Sequence, residues 1–157
     1  MAAEKQVIRL GDIATDFTLK DQNGEEFRLS AAKGKRVLLS FHPLAWTRVC
    51  ADQMRSLEEN METFDSLNTV PVGISVDSVP SKKAWAGSLD IKQLQLLSDF
   101  WPQGYVAQLY GIFRDKDGFS ERANIVLDEQ GKVIFFKLYE ISQLPDINEI
   151  IRLLKEQ

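Results

Sequence analysis

The chain's only cysteine and only histidine lie close together in the stretch His42-Pro43-Leu44-Ala45-Trp46-Thr47-Arg48-Val49-Cys50, with a threonine hydroxyl between them. A thiol acts as a nucleophile through its thiolate, so the surroundings of Cys50 decide what it can do. Residues Cys50, Met54, Leu57, Met61 and Phe64 recur at steps of four and three, the stripe of an amphipathic helix. The run Val37-Leu38-Leu39-Ser40-Phe41 before them reads as a buried strand. The thiol therefore falls in the first turn of a helix that follows a strand. Unpaired N–H groups and the helix dipole there favour an anion, which points to a reactive cysteine. The Thr47 hydroxyl can cap that helix, or hydrogen-bond a thiolate or a substrate oxygen. Pro43 lacks an N–H and has a fixed φ, so it can shape the loop and shield the sulfur, or simply end the strand. His42 offers a base for a cysteine hydrolase, but it precedes Pro43 on the entering strand and no orienting partner is evident. It reads as a structural residue.

The remaining elements must hold this stretch in place. Asp16-Phe17-Thr18-Leu19-Lys20 and Glu26-Phe27-Arg28-Leu29-Ser30 alternate apolar with polar around Asn23-Gly24, the pattern of an N-terminal β-hairpin. Lys33-Gly34-Lys35-Arg36 has too few glycines for a phosphate loop and reads as a solvated turn. The Cys50 helix is expected to run to about Leu67. A strand over Val70–Val76, a helix over Ser81–Leu89 with Ser78 or Ser81 as cap, and a short strand over Leu94–Leu97 follow. Tyr105 to Tyr110 suggests a short helix stopped by Gly111, and Arg122–Leu127 with Val133–Tyr139 forms a second hairpin around Asp128-Glu129-Gln130-Gly131. A closing helix carries Ile147, Ile150, Ile151 and Leu154 on one face. The order β, β, β, α, β, α, β, α, β, β, α predicts a central mixed sheet flanked by helices on both faces. One domain over residues 1–157 is expected.

Composition excludes several classes. A net charge of −4 argues against nucleic acid and anionic membrane surfaces as partners. No apolar run approaches a membrane span, and Met1 to Leu10 carries no secretory apolar core. A cytoplasmic, reducing setting is therefore expected for the lone thiol. One cysteine and one histidine rule out the usual structural zinc sites, and neither a metal nor a cofactor is expected.

A strand, a loop with Pro43 and a helix opening with Thr47-x-x-Cys50 make the setting in which thioredoxin-type folds hold a C-x-x-C pair, here with threonine in place of the first cysteine. Pro43-x-x-x-Thr47-x-x-Cys50 resembles the active-site signature of the peroxiredoxins, the alkyl hydroperoxide reductase and thiol-specific antioxidant family. The likeness extends to Asp16-Phe17-Thr18-Leu19, Ser75-Val76-Asp77-Ser78, Leu96-Leu97-Ser98-Asp99 and the segment Arg122-Ala123-Asn124-Ile125-Val126-Leu127-Asp128-x-x-Gly131. The resemblance implies an α/β thioredoxin-like fold and reduction of hydroperoxides. It implies Cys50 as the peroxidatic nucleophile, Thr47 and Arg122 as holders of the two peroxide oxygens, and Pro43 as the shield. By composition alone Arg122 would be a solvated arginine at a strand entrance.

Three positions depart from the family's pattern. Arg48 stands where many relatives have proline, His42 where an aromatic residue is common, and Gln53 where a carboxylate is frequent, which should leave the pocket more positive. No second cysteine is present, so the resemblance is to the one-cysteine type. Oxidised Cys50 must be rescued by an external thiol, or by a thioredoxin- or glutaredoxin-type reductant. Relatives of this length pair beside the active site, so a homodimer is expected, with Trp46, Trp85 and Trp101 as candidate interface surface. The competing readings are a thioredoxin-fold peroxide sensor and a partner-binding module that keeps Cys50 buried without turnover.

Overall fold

Strand β3, Arg36–Phe41, is buried at every residue and forms the spine of the molecule in a computed structural model that describes residues 6–157. Its β-branched and leucine-rich sequence suits a strand covered on both faces. It pairs in parallel with β4, Thr69–Ser75, and antiparallel with β8, Arg122–Leu127. Beyond β4 lies β5, Gln95–Ser98, also parallel, and beyond β8 lies β9, Val133–Tyr139, antiparallel. The hairpin of β1, Thr18–Lys20, and β2, Glu26–Arg28, extends the edge through β5. The result is a seven-stranded mixed sheet of order β2-β1-β5-β4-β3-β8-β9.

Two apolar layers cover it. On one face Leu38, Leu96 and Val126 meet α1, Arg48–Glu59, α2, Met61–Ser66, α3, Val79–Ser88, and α5, Ile147–Glu156. On the other, Leu39, Phe41 and Ile125 meet α4, Tyr105–Leu109, with Phe17 and Tyr110. Strand period 2 divides β3 between them: residues 37, 39 and 41 face one layer, while Leu38 faces the layer that contains Cys50. The expected mixed sheet flanked by helices is present, and so is the N-terminal hairpin.

Four details differ from the sequence reading. The helix expected to reach Leu67 breaks at Asn60, whose side-chain amide donates to Ser56 O while its own N–H bonds to Leu57 O. An asparagine that competes for helix carbonyls in this way favours an end over a continuation. A short hairpin was missed: β6, Phe113–Arg114, and β7, Phe119–Ser120, are too brief to show alternation. Arg36 is no solvated turn residue; it opens β3, is buried, and donates to the carbonyls of Leu154 and Leu67. Trp85 is core, only 1% exposed, so it cannot serve an interface. Met1 to Lys5, the first half of the stretch read as lacking a secretory core, lie outside the described residues.

Candidate active site

Parallel pairing of β3, β4 and β5 brings the loops that follow them to one edge of the sheet. The loop after β3 carries His42 to Thr47, and several bonds pin it. The His42 N–H donates to Ile74 O, the Ala45 N–H to the Asp77 carboxylate at 2.8 Å, and the Trp46 indole N–H to Ser81 Oγ at 3.0 Å. Asp77 is in turn fixed by the Ser75 hydroxyl at 2.6 Å. Trp46 adopts φ 70°, a left-handed conformation that costs a side-chain-bearing residue about 1–2 kcal/mol. Such outliers cluster at functional loops, where the surrounding structure over-determines them.

Cys50 is the third residue of α1 after the Thr47 cap position, so its thiol does lie in the first turn. It is fully buried. The Arg122 guanidinium donates to its sulfur, with Nη1 3.4 Å from Sγ. Arg122 arrives at the start of β8 because β8 runs antiparallel to β3, with Ala123 opposite Phe41. Its head is held tightly. Nε and Nη2 donate to Ile141 O at 3.0 and 2.7 Å, and Nη1 donates to Gln53 Oε1 at 2.6 Å. With the sulfur contact these use four of the five N–H donors of a guanidinium. Gln53, read as leaving the pocket more positive, supplies a neutral carboxamide oxygen to Arg122. Its NH₂ group then donates to Ser40 Oγ, and Ser40 to Asn124 Oδ1, so a buried polar chain braces the site from behind.

Thr47 is exposed, and its hydroxyl makes no capping bond to the helix; it donates instead to Leu44 O at 2.8 Å. The proton is therefore committed, and the oxygen's lone pairs are what Thr47 offers a ligand. Pro43 is buried within the loop, and Arg48 is exposed. The tertiary structure thus brings Arg122 to Cys50 and places Thr47 and Pro43 on the loop that leads into the helix of Cys50.

His42 does not address the sulfur. Its Nδ1 faces Ser40 O at 3.4 Å and its Nε2 faces Lys82 Nζ at 3.1 Å, so the hydrolase reading has no base. Burial holds the imidazole neutral, well below the usual range, and the nearby Lys82 charge pushes the same way. Lys82 is the residue that the sequence reading missed. It is fully buried on α3, and a signal existed: Lys82, Trp85 and Ala86 share the helix's inward face at steps of three and four. Cavities of about 670, 310 and 460 Å³ lie away from Cys50, the first against the N-terminal segment and Tyr110. Among the described residues no cluster of His, Cys, Asp and Glu could hold a metal ion.

A mixed sheet flanked by helices, with a lone thiol in the first turn of the helix after its central strand and an arginine at the sulfur, defines a thioredoxin-like thiol enzyme. Residues 10–136 match the AhpC/TSA family, and the chain belongs to it. It is 36% identical over 141 residues to alkyl hydroperoxide reductase E of Mycobacterium tuberculosis strain H37Rv, which covers 89% of this chain and 92% of the relative. It is 33% identical over 133 residues to peroxiredoxin Bcp of Escherichia coli K12, covering 80% and 83% of the two chains. The crystal structure of peroxidoxin BcpB from Mycobacterium tuberculosis superposes with a TM-score of 0.83 at 28% identity, over 95% of this chain and 97% of that one. The chain is a peroxiredoxin-type, thiol-dependent peroxidase.

Proposed function

We propose that Cys50 is the peroxidatic thiol and that Arg122, Thr47 and Pro43 complete its site. The observation that carries this reading is the 3.4 Å approach of Arg122 Nη1 to Sγ, on a family match that spans both residues. The thiolate attacks one oxygen of the hydroperoxide, and the O–O bond breaks. Cys50 becomes a sulfenic acid, and the departing alkoxide or hydroxide takes a proton and leaves as alcohol or water. Arg122 stabilises the charge that grows on the departing oxygen, while the Thr47 lone pairs accept the peroxide O–H.

With one cysteine in the chain, resolution falls to an external thiol or a thioredoxin- or glutaredoxin-type reductant. That thiol condenses with the sulfenic acid to release water, and a second thiol regenerates Cys50. One equivalent of peroxide should add one oxygen to the intact mass of reduced protein, reversibly with a small thiol. A mass that stays unchanged favours the module that keeps Cys50 inert; oxidation without catalytic turnover favours the sensor. Excess peroxide without thiol should drive Cys50 to sulfinic acid and end turnover.

A homodimer through the active-site edge completes the proposal. Trp46 and Trp101 are 56% and 82% exposed, on loops after β3 and β5 that parallel pairing gathers at that edge, and Phe100 and Tyr105, near Trp101 in sequence, are also exposed. Light scattering that shows only monomer at high concentration rejects it. Among the described residues no helix is long and apolar enough to cross a membrane. We place this single domain, residues 1–157, in the cytoplasm, where a lone thiol finds external reductants.

A further inference from the structure

Lys82 puts an amine where the fold has no solvent to offer it. It projects from α3 into the layer that holds Cys50, and its Nζ lies 3.1 Å from His42 Nε2. With the His42 Nδ1 hydrogen directed at Ser40 O, Nε2 is the acceptor and Lys82 the donor. The His42 ring lies 5.4 Å from the Trp85 ring, and Lys82 Nζ lies 5.7 Å from the same ring. The ring also packs over Gly73, where an added Cβ would stand 3.3 Å from its Cε1 and collide with Met54 Sδ, one turn beyond Cys50 on α1. The pair is therefore wedged between α3, the sheet and the helix that carries the thiol.

Three neighbouring elements bear electrostatically on Lys82: Asp77 after β4, Cys50 on α1 and Asp99 after β5. On the far side of His42 the Arg122 charge is also felt. Burial pulls the Lys82 amine down to about 7, against the opposite pull of Asp77, Cys50 and Asp99. An amine so placed changes charge in the neutral range, whereas Arg122 does not.

We propose that Lys82 is a positioning residue for the peroxidase reaction: a buried, titratable counter-charge that orients His42 and stabilises negative charge on Cys50 only while it is protonated. The proposal rests on Cys50 being the peroxidatic thiol. Charge coupling is reciprocal, so Lys82 must hold its proton more tightly when Cys50 is a thiolate than when the sulfur is neutral. Converting the thiolate to a neutral sulfenic acid then weakens the hold of Lys82 on its proton.

The reciprocal half is tested without turnover, by NMR titration of lysine labelled with ¹³C at Cε. The Lys82 resonance should titrate in the neutral range in the reduced protein, and its midpoint should fall by about half a unit or more in C50S. A midpoint that C50S leaves in place overturns the proposal. The functional half compares the rate of peroxide attack in wild type and K82M, a swap of similar volume. The wild-type advantage should be on the order of five- to tenfold near about pH 6 and approach one by about pH 9. An advantage that is constant with pH marks a purely structural lysine, and no advantage at any pH removes its role; either result overturns the proposal. If K82M fails to fold by near-UV circular dichroism, the NMR midpoints decide. Failure of the wild type to consume peroxide would sink the peroxidase reading, while the titration would still report on the coupling.

Discussion

Arg122 and Lys82 are both buried basic side chains, and they are held in opposite ways. Arg122 has its fork matched to two acceptors, Ile141 O and Gln53 Oε1, and turns Nη1 to the sulfur. Lys82 is bonded to a neutral imidazole and faces its acids at longer range. A guanidinium cannot lose its charge at any accessible pH, so burying it demands full hydrogen bonding. An amine can shed its proton, so it tolerates a poorer site and becomes sensitive to pH. In the proposed roles, Arg122 supplies a permanent charge at the sulfur and Lys82 an adjustable one.

The largest effect is expected from removing the sulfur itself. C50S should abolish peroxide consumption with the fold intact, because a hydroxyl has no thiolate-like population at neutral pH. Substantial turnover by C50S, measured by loss of peroxide, would reject the assignment. R122A should slow peroxide attack on the order of 10²- to 10³-fold, the usual cost of a lost transition-state donor. It should slow alkylation by an uncharged reagent much less. Equal losses would reduce Arg122 to a partner of the thiolate alone.

T47V sharpens the permanent side of the comparison. It removes the lone pairs of Thr47 but leaves Arg122 in place, so the loss should be smaller, about tenfold, and appear in peroxide attack measured by stopped flow. An unchanged rate would leave Thr47 as a loop brace bonded to Leu44 O.

The adjustable side is tested through stability. The unfolded chain binds more protons at Lys82 between about 7 and its ordinary 10.5, so this residue makes stability rise with pH across that window. Below about 7 both states are protonated and the penalty is complete. His42, held below its ordinary 6.5, extends the loss as pH falls further. H42F/K82M should flatten the profile and raise stability by about 1–3 kcal/mol near neutral pH, since a buried polar pair is replaced by apolar groups of similar volume. Denaturant midpoints across pH would check both, and an unflattened profile would show that other groups dominate. At the alkaline end Tyr139, pushed by burial up to about 12, makes stability fall as pH rises above about 10.

Local pattern was enough to find much of this protein. The stripe from Cys50 to Phe64 placed the thiol in a first helical turn, because positions three and four apart share a helix face whatever the tertiary context. The same logic located both principal hairpins and the closing helix, but it could not see the break at Asn60, which depends on a side-chain bond to Ser56 O. Arg122 entered only through resemblance: nothing local distinguishes it from a solvated residue. Lys82 was passed over although Lys82, Trp85 and Ala86 share a face, since a lysine is ordinarily read as exposed.

One thiol, its place in the first turn of a helix, and the lack of a second cysteine in this chain are all legible in the residues themselves. Those properties follow from residue identity and short-range periodicity. Only the tertiary structure decided what surrounds the sulfur. Arg122 lies 72 positions away from Cys50 along the chain, and Lys82 lies 40 from His42. They meet because β8 pairs antiparallel with β3 while α3 packs by β5 in the apolar layer that also holds α1. Those long-range arrangements are set by burial of both faces of the sheet, which no single segment encodes.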